Sequence, residues 1–212
     1  MSFAVMSFAE KMTAIADAIR GKTGKTEKLS LDEMATEINE ISTGERDINP
    51  EWTDWSFFCQ YRDSLAAKLK YSDTSNGTNF SDMFRDCKEL TSIPALDTSN
   101  GTNFSNMFRD CKELTSIPQL NLTKVTTNKF ISMFSDCDAL VDLNVVGTIN
   151  ATGLDVSYST LLSHDSLMSI INALAYRTGV SGTFKVTLGA TNLAKLTAEE
   201  IAIAEGKGWT LA

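Results

Sequence analysis

Residues 73–96 read DTSNGTNFSDMFRDCKELTSIPAL, and residues 97–120 read DTSNGTNFSNMFRDCKELTSIPQL. The two stretches are one 24-residue unit that differs only at positions 82/106 and 95/119. Such identity at a fixed period is the sequence signature of a repeat architecture. A diverged third copy follows, in which Phe130, Met133, Phe134, Cys137 and Leu140 keep the apolar spacing of the earlier units. We therefore predict a stack of similar coils.

Each unit is predicted to contain one helix and one short strand. Its apolar residues are three or four positions apart, a spacing typical of one helix face. In the first unit they are Phe80, Met83, Phe84, Cys87 and Leu90. Pro94 would end the helix and leave Ile93 extended, and the Asn76-Gly77 dipeptide predicts a turn before the helix.

One such coil cannot be stable alone, because about seven buried side chains do not offset the entropy of ordering the unit. Neighbouring coils are expected to bury each other's flanks and to pair their short strands in parallel. The chain then divides into a linker with an N-terminal cap over residues 46–72, repeats over 73–145, and further coils with a cap over 146–212.

The closing section has helix and strand signals of its own. Ser163 is a candidate N-cap for a helix that would run toward Gly179. The alternation of Phe184, Val186 and Leu188 predicts a strand, and Thr197 with Glu200 predicts a capping box for a last helix. We expect two more helix-strand coils here.

Residues 1–45 follow a different pattern. Their apolar positions Val5, Phe8, Met12, Ile15 and Ile19 have the seam spacing of a short coiled coil. A second apolar stripe over residues 31–41 completes a predicted helical hairpin. A coiled coil this short is only marginally stable in isolation. We therefore expect it to pack either on the second helix or on other copies of the chain, and we favour assembly into a homo-oligomer.

Composition removes several classes of function. The net charge is −8, from 19 Lys and Arg against 27 Asp and Glu, which is the wrong sign for a general nucleic-acid binder. No apolar run is long enough for a membrane-spanning helix. We also expect no signal peptide and no C-terminal anchor.

The pattern Met-Phe-x-x-Cys-x-x-Leu-x-x-Ile-Pro, at Met83–Pro94 and Met107–Pro118, resembles the BspA-like leucine-rich repeats of bacterial surface proteins. Residues 183–212 are similar to the ends of small leucine-rich repeat proteins of phages and prophages. Residues 15–38 resemble an element of tail-associated proteins of phages that infect Gram-positive bacteria. The resemblance implies an α/β fold, a right-handed leucine-rich repeat solenoid of helix-strand coils, located on a phage virion or a bacterial cell surface.

Little in the sequence points to catalysis, a cofactor or a metal. Cys87, Cys111 and Cys137 recur once per unit, so we predict a buried column of thiols in preference to a disulfide or a metal site. The spacing of GKTGKT at residues 21–26 does not match a phosphate-binding loop. For His164, between Ser163 and Asp165, helix capping is favoured over a catalytic triad.

We therefore predict a non-enzymatic recognition or attachment protein whose partner is a protein or a cell-surface glycan. The candidate binding face is the solenoid strand face, with Glu89, Thr91, Ser92, Glu113, Thr115 and Ser116. Alternatives are a purely structural subunit of a tail or baseplate, a bacterial adhesin, and a glycan hydrolase with two acidic side chains in a cleft.

Overall fold

The computed structural model of the protein describes residues 53–61, 63, 69 and 73–212. The helices and strands of this part of the chain are β1 (Ser116–Asn121), β2 (Asp142–Val146), α1 (His164–Ala173), β3 (Lys185–Val186), α2 (Ala190–Leu193), α3 (Ala198–Gly206) and β4 (Thr210–Leu211). β1 pairs with β2 and β3 pairs with β4, both in parallel. Among these described residues, no helix combines the length and apolar character needed to cross a membrane.

The segment predicted to be helical in each repeat is instead a ribbon of tight turns. The N–H of Met83 donates to the carbonyl of Phe80 at 3.3 Å, three residues back, whereas an α-helix bonds four residues back. Asp82 and Asp86 have φ angles of 56° and 60°, in the left-handed region that a right-handed helix does not admit. The helix prediction is therefore wrong for the repeats.

The ribbon still buries the residues that the helical spacing selected. Each turn spans three residue steps. The residues at the ends of successive turns therefore lie three or four positions apart, and their side chains point into the core. Phe80, Met83, Phe84 and Cys87 are fully buried, and Leu90 is nearly so. The left-handed positions between them carry mostly Asp and Asn, the non-glycine residues that adopt this conformation most readily. They are Asp82, Asp86, Asn106, Asp110, Ser132 and Asp136.

Hydrogen bonds along the ribbon join each coil to the next. The N–H groups of Phe80, Asp82, Phe84 and Asp86 donate to carbonyls one unit later, at 2.8 to 2.9 Å. Residues 97–120 bond to the third copy in the same manner, and residues 55–61 bond to the first repeat. The stretch at 53–61 therefore already pairs as the later coils do.

Phenylalanine rings from successive coils stack inside the core. Phe80 and Phe104 have ring centroids 5.5 Å apart and nearly parallel planes, and Phe84 and Phe108 are 5.4 Å apart. The second column continues to Phe134 at 5.8 Å. Stacked rings at these distances add to the stabilisation from burial, so the repetition of Phe holds the coils in register.

The turn at each Asn-Gly dipeptide forms as predicted. The N–H of Gly77 donates to the carbonyl of Thr74 at 2.8 Å. A Cβ atom at Gly77 would stand 2.3 Å from Cζ of Phe80, so any other residue would displace that ring. Gly101 occupies the same place in the next unit.

Two of the predicted elements in the closing section are confirmed. Ser163 caps α1, and Thr197 with Glu200 forms a complete capping box on α3. α1 ends at Ala173, well before Gly179, because Leu174 turns extended to bridge with Ile149 in parallel.

Lys207 holds the C-terminal end of α1. Its ammonium donates to the carbonyls of Ile171 at 3.0 Å and Asn172 at 2.7 Å. The carbonyl of Ile171 also accepts the N–H of Leu174 at 3.3 Å, so Lys207 adds to the few bonds that the last carbonyls of a helix can find. The predicted strand over 184–188 is reduced to β3, and α2 was not predicted.

Candidate binding face and groove

The predicted strand-face residues form adjoining rows across the coils. Ser92 bridges in parallel to Ser116, and Ser116 pairs in the same way with Asp142. In the neighbouring row, the N–H of Thr115 donates to the carbonyl of Thr91 at 3.0 Å, and that of Val141 to Thr115 at 2.9 Å. The structure therefore aligns the predicted Ser and Thr positions and continues both rows into the third copy.

Glu89 and Glu113 lie in the turn just before these rows. Both carboxylate side chains are exposed, as are Thr91, Ser92 and Thr115, whereas Ser116 is half-buried. The N–H of Glu89 donates to Asp63 Oδ1 at 3.0 Å. The face is thus polar, with Glu89 and Glu113 at its margin.

A groove of about 340 Å³ adjoins the end of this face, between the β1–β2 pair and the N-terminus of α1. Its lining consists of Ser116, Ile117, Pro118, Asp142, Leu143, Asn144, Ser163, Asp165, Ser166 and Ser169. Of the six predicted face residues, only Ser116 reaches it. The groove is large enough for one or two sugar rings or for a few side chains of a peptide.

Sequence reasoning missed the polar residues that the third copy adds to the groove. Asp142 takes the place of Ser116, and Asn144 takes the place of Pro118. The carbonyl of Pro118 accepts a hydrogen bond from Asn144 Nδ2 at 3.2 Å, which ties this amide to the neighbouring strand. The sequence feature that could have revealed these groove residues is the replacement of a strand proline by a polar residue in the diverged third copy.

Serine hydroxyls of α1 form the floor of the groove and terminate the sheet. Ser166 Oγ accepts the N–H of Leu143 at 2.8 Å and donates to the carbonyl of Val141 at 3.1 Å. Ser169 Oγ accepts the N–H of Val145 at 3.2 Å. These hydroxyls satisfy groups that another strand would otherwise bond, so the edge of β2 is covered.

The lining of the groove consists mainly of hydrogen-bonding side chains. It contains two carboxylates, Asp142 and Asp165, but no His, Cys, Lys or Arg. The Asp165 side chain is fully exposed, whereas a glycosidase acid needs a shielded environment. Hydrogen bonding to a ligand is the chemistry that these side chains support.

The cysteines are free and buried, as predicted. Cys111 Sγ donates to the carbonyl of Phe84 at 3.0 Å, and Cys137 repeats the contact with Phe108 at 2.9 Å. Burial raises the pKa of Cys111 far above its ordinary value and that of Cys137 to about 12. Neutral, inaccessible thiols are neither nucleophiles nor metal ligands, and no group of three metal-binding side chains converges anywhere in the described part of the chain.

His164 contacts Glu200 of α3 and does not pair with its neighbour Ser163. Its Nε2 lies 2.8 Å from Glu200 Oε1, whereas Ser163 Oγ pairs with Ser166. The pKa of Glu200 is lowered, first by the hydrogen bond from the N–H of Thr197 and further by His164. Ser163, and not His164, is the N-cap of α1, and His164 links α1 to α3 through Glu200.

Several predicted features lie outside the described residues. They are the hairpin over 1–45, the assembly positions Val5, Phe8, Met12, Ile15 and Ile19, and the GKTGKT loop.

The stacked copies define a repeat protein that carries a polar face and a groove. The chain belongs to the family described as "Mycoplasma protein of unknown function, DUF285", whose model matches residues 32–145. No curated protein and no solved structure matches the chain.

Proposed function

We propose that this chain is a non-enzymatic recognition or attachment protein, associated with a phage or prophage tail, whose strand face and groove bind a host-surface glycan or a protein. The stacked coils, in this proposal, form a right-handed leucine-rich repeat solenoid of the BspA-like type in which turn ribbons replace helices. The observation that carries the proposal is the row Ser92, Ser116 and Asp142, of which Ser92 and Asp142 are exposed and Ser116 is half-buried, and which leads into the groove.

The packing beneath the face supports a role in recognition. Every exposed residue of the row stands next to a fully buried or nearly buried one, such as Ile93, Ile117 or Leu143. Side chains placed on a packed core lose little entropy when a ligand binds. A polar row on a fixed scaffold is therefore suited to binding without a conformational change.

The small size of the face favours several copies acting together. Roughly five coils at about 4.8 Å spacing extend only about 25 Å, so one module would bind weakly. Assembly through residues 1–45 would give avidity by raising the effective concentration of neighbouring modules.

The binding test uses the full-length protein with Ser116→Trp, which fills the groove, beside Ser181→Trp on an exposed loop as the matched control. Binding is measured to fixed Gram-positive cells, to purified wall glycans and to isolated phage tail proteins. We expect Ser116→Trp alone to lose binding. Equal binding by both variants would contradict the proposed face.

The assembly test compares the solution mass of the full-length protein with that of the protein lacking residues 1–45, by light scattering. An oligomer that becomes monomeric supports multivalent attachment. A monomer in both cases removes the avidity argument, and binding only to tail proteins would favour the alternative of a purely structural subunit.

A further inference from the structure

The third copy brings negative charge to the groove. Three positions at the start of the strand face carry no net charge in the second unit, where they are Lys112, Glu113 and Ser116, and the first unit has the same residue types there. In the third copy these positions are Asp138, Ala139 and Asp142, with a charge of −2. Ser116 pairs with Asp142 between β1 and β2, so the exchange of serine for aspartate falls on the wall of the groove.

Two carboxylates line the groove from different elements. Asp142 belongs to β2, and Asp165 belongs to the first turn of α1. Both are exposed, and neither carboxylate accepts a hydrogen bond from another residue in the described part of the chain. The imidazole of His164 lies 3.9 Å from Asp165 Oδ1 but only 2.8 Å from Glu200 Oε1, so Glu200 takes up its charge first. The negative charge of the groove is therefore available to a ligand.

Most other polar groups of the groove are bonded within the protein. Ser163 Oγ pairs with Ser166 Oγ, and the hydroxyls of Ser166 and Ser169 accept N–H groups of β2. Asn144 Nδ2 donates to the neighbouring strand at 3.2 Å, which leaves its Oδ1 as an acceptor. Apart from the hydroxyl of Ser116, which can donate or accept, the side-chain groups left for a ligand are acceptors. They suit a ligand that carries both hydrogen-bond donors and positive charge.

The covered edge of β2 makes a sugar a better occupant than a peptide. An extended peptide can bind by adding a strand through backbone hydrogen bonds. The N–H groups of Leu143 and Val145 already donate to Ser166 and Ser169, so this mode is closed here. The volume of about 340 Å³ is that of a small ligand, and Pro118, exposed on β1, offers apolar surface to the C–H face of a sugar ring.

We propose that the groove binds a glycan with free amino groups, in which the ammonium of an amino sugar pairs with the carboxylates of Asp142 and Asp165. Acetylation of the sugar nitrogen removes its positive charge, so these carboxylates select the free amine over the acetylated form. This inference rests on the function proposed above and names the chemical class of its ligand.

The test compares two trimers that differ only in acetylation, one of glucosamine and one of N-acetylglucosamine. Their binding to the full-length protein is measured by calorimetry and by NMR shifts of the β2 amides, at about pH 6, where an amine of this kind is protonated. We expect the glucosamine trimer to bind about tenfold more tightly, because it can form two ion pairs worth about two- to fivefold each. Added salt should weaken the glucosamine trimer more than the acetylated one.

Isosteric variants locate the charge. Asp142→Asn and Asp165→Asn should each weaken the glucosamine trimer about two- to fivefold and leave the acetylated trimer unchanged. Glu205→Gln, which removes the same charge from the exposed end of α3, should change neither. Equal losses for both trimers, or no loss in either aspartate variant, would overturn the role of these carboxylates.

A third ligand separates the sugar from its charge. Acetylated, amidated trilysine carries the same three ammonium groups without sugar rings, and we expect it to bind at least about fivefold more weakly than the glucosamine trimer. Equal binding of trilysine, or equal binding of the two sugar trimers, would overturn the amino-sugar proposal. Binding of neither sugar trimer would also overturn it, whereas the function proposed above is decided separately, by the cell and tail-protein binding of Ser116→Trp.

Discussion

The replacement of Ser166 by alanine is the sharpest test of how the sheet ends. Ser166 is 4% exposed, and its hydroxyl accepts the N–H of Leu143 at 2.8 Å. Leu143 is 1% exposed, so water cannot readily take the place of the hydroxyl. Without it, a buried donor is left unsatisfied, which costs about 1 to 3 kcal/mol.

The expected cost sets the expected change in melting temperature. The carbonyl of Val141 also accepts the N–H of Ser163 at 2.8 Å, so it keeps a partner and adds little to the penalty. For a domain of this size, 1 kcal/mol corresponds to about 2 to 4 °C. Ser166→Ala should therefore lower the melting temperature by about 2 to 12 °C. Half-buried Ser169, replaced in the same way, should lose less because its own site is partly open to water.

Urea unfolding followed by tryptophan fluorescence measures the free energy of unfolding, since Trp55 and Trp209 are both buried. Ser181→Ala, on an exposed loop, is the control and should stay within about 0.5 kcal/mol of the unsubstituted protein. The amide of Leu143 should also exchange faster in Ser166→Ala. A loss below about 0.5 kcal/mol, with that amide still protected, would refute the idea that serine hydroxyls stand in for a strand.

Four further predictions concern single side chains. Ser159 is fully buried with no partner for its hydroxyl in the described structure, so Ser159→Cys should raise the free energy of unfolding by about 1 kcal/mol. Cys111→Ser should lower the free energy of unfolding by a similar amount. A loss of stability in Ser159→Cys, or a gain in Cys111→Ser, measured by urea unfolding, would contradict the respective prediction. Tyr61 has a φ of 60° and is 62% exposed, so Tyr61→Asn should stabilise by about 1 kcal/mol, and a stabilisation no greater than that of Tyr158→Asn would remove the conformational argument. The lowered pKa of Glu200 means that its contribution is present above the ordinary carboxyl range and is lost as pH falls through the folded pKa; the stability difference from Glu200→Gln, followed by thermal melts, should shrink toward acid pH and not grow.

Local chemistry allowed much of the closing section to be predicted. The N-cap at Ser163 and the capping box of Thr197 with Glu200 need only residues within one helical turn. The end of α1 did not follow from such signals, because Leu174 is drawn into a bridge with Ile149, 25 positions earlier.

The candidate site was predictable in part for a related reason. Its rows of Ser and Thr repeat with the period of the chain, so their alignment followed from the repeat. The groove did not, because Asp142, Asn144 and Asp165 occur only where the third copy diverges and where a helix replaces the next strand.

The sequence by itself determined the period, the residues that enter the core and the turn at each Asn-Gly dipeptide, because each depends on the order of apolar and turn-forming residues along the chain. Only the tertiary structure decided that the core segment is a ribbon of turns. The spacing of Phe80, Met83 and Phe84 suits either a helix or turns of three steps. The choice lies with N–H groups that bond to carbonyls 23 residues further on, and no local pattern specifies a partner at that distance.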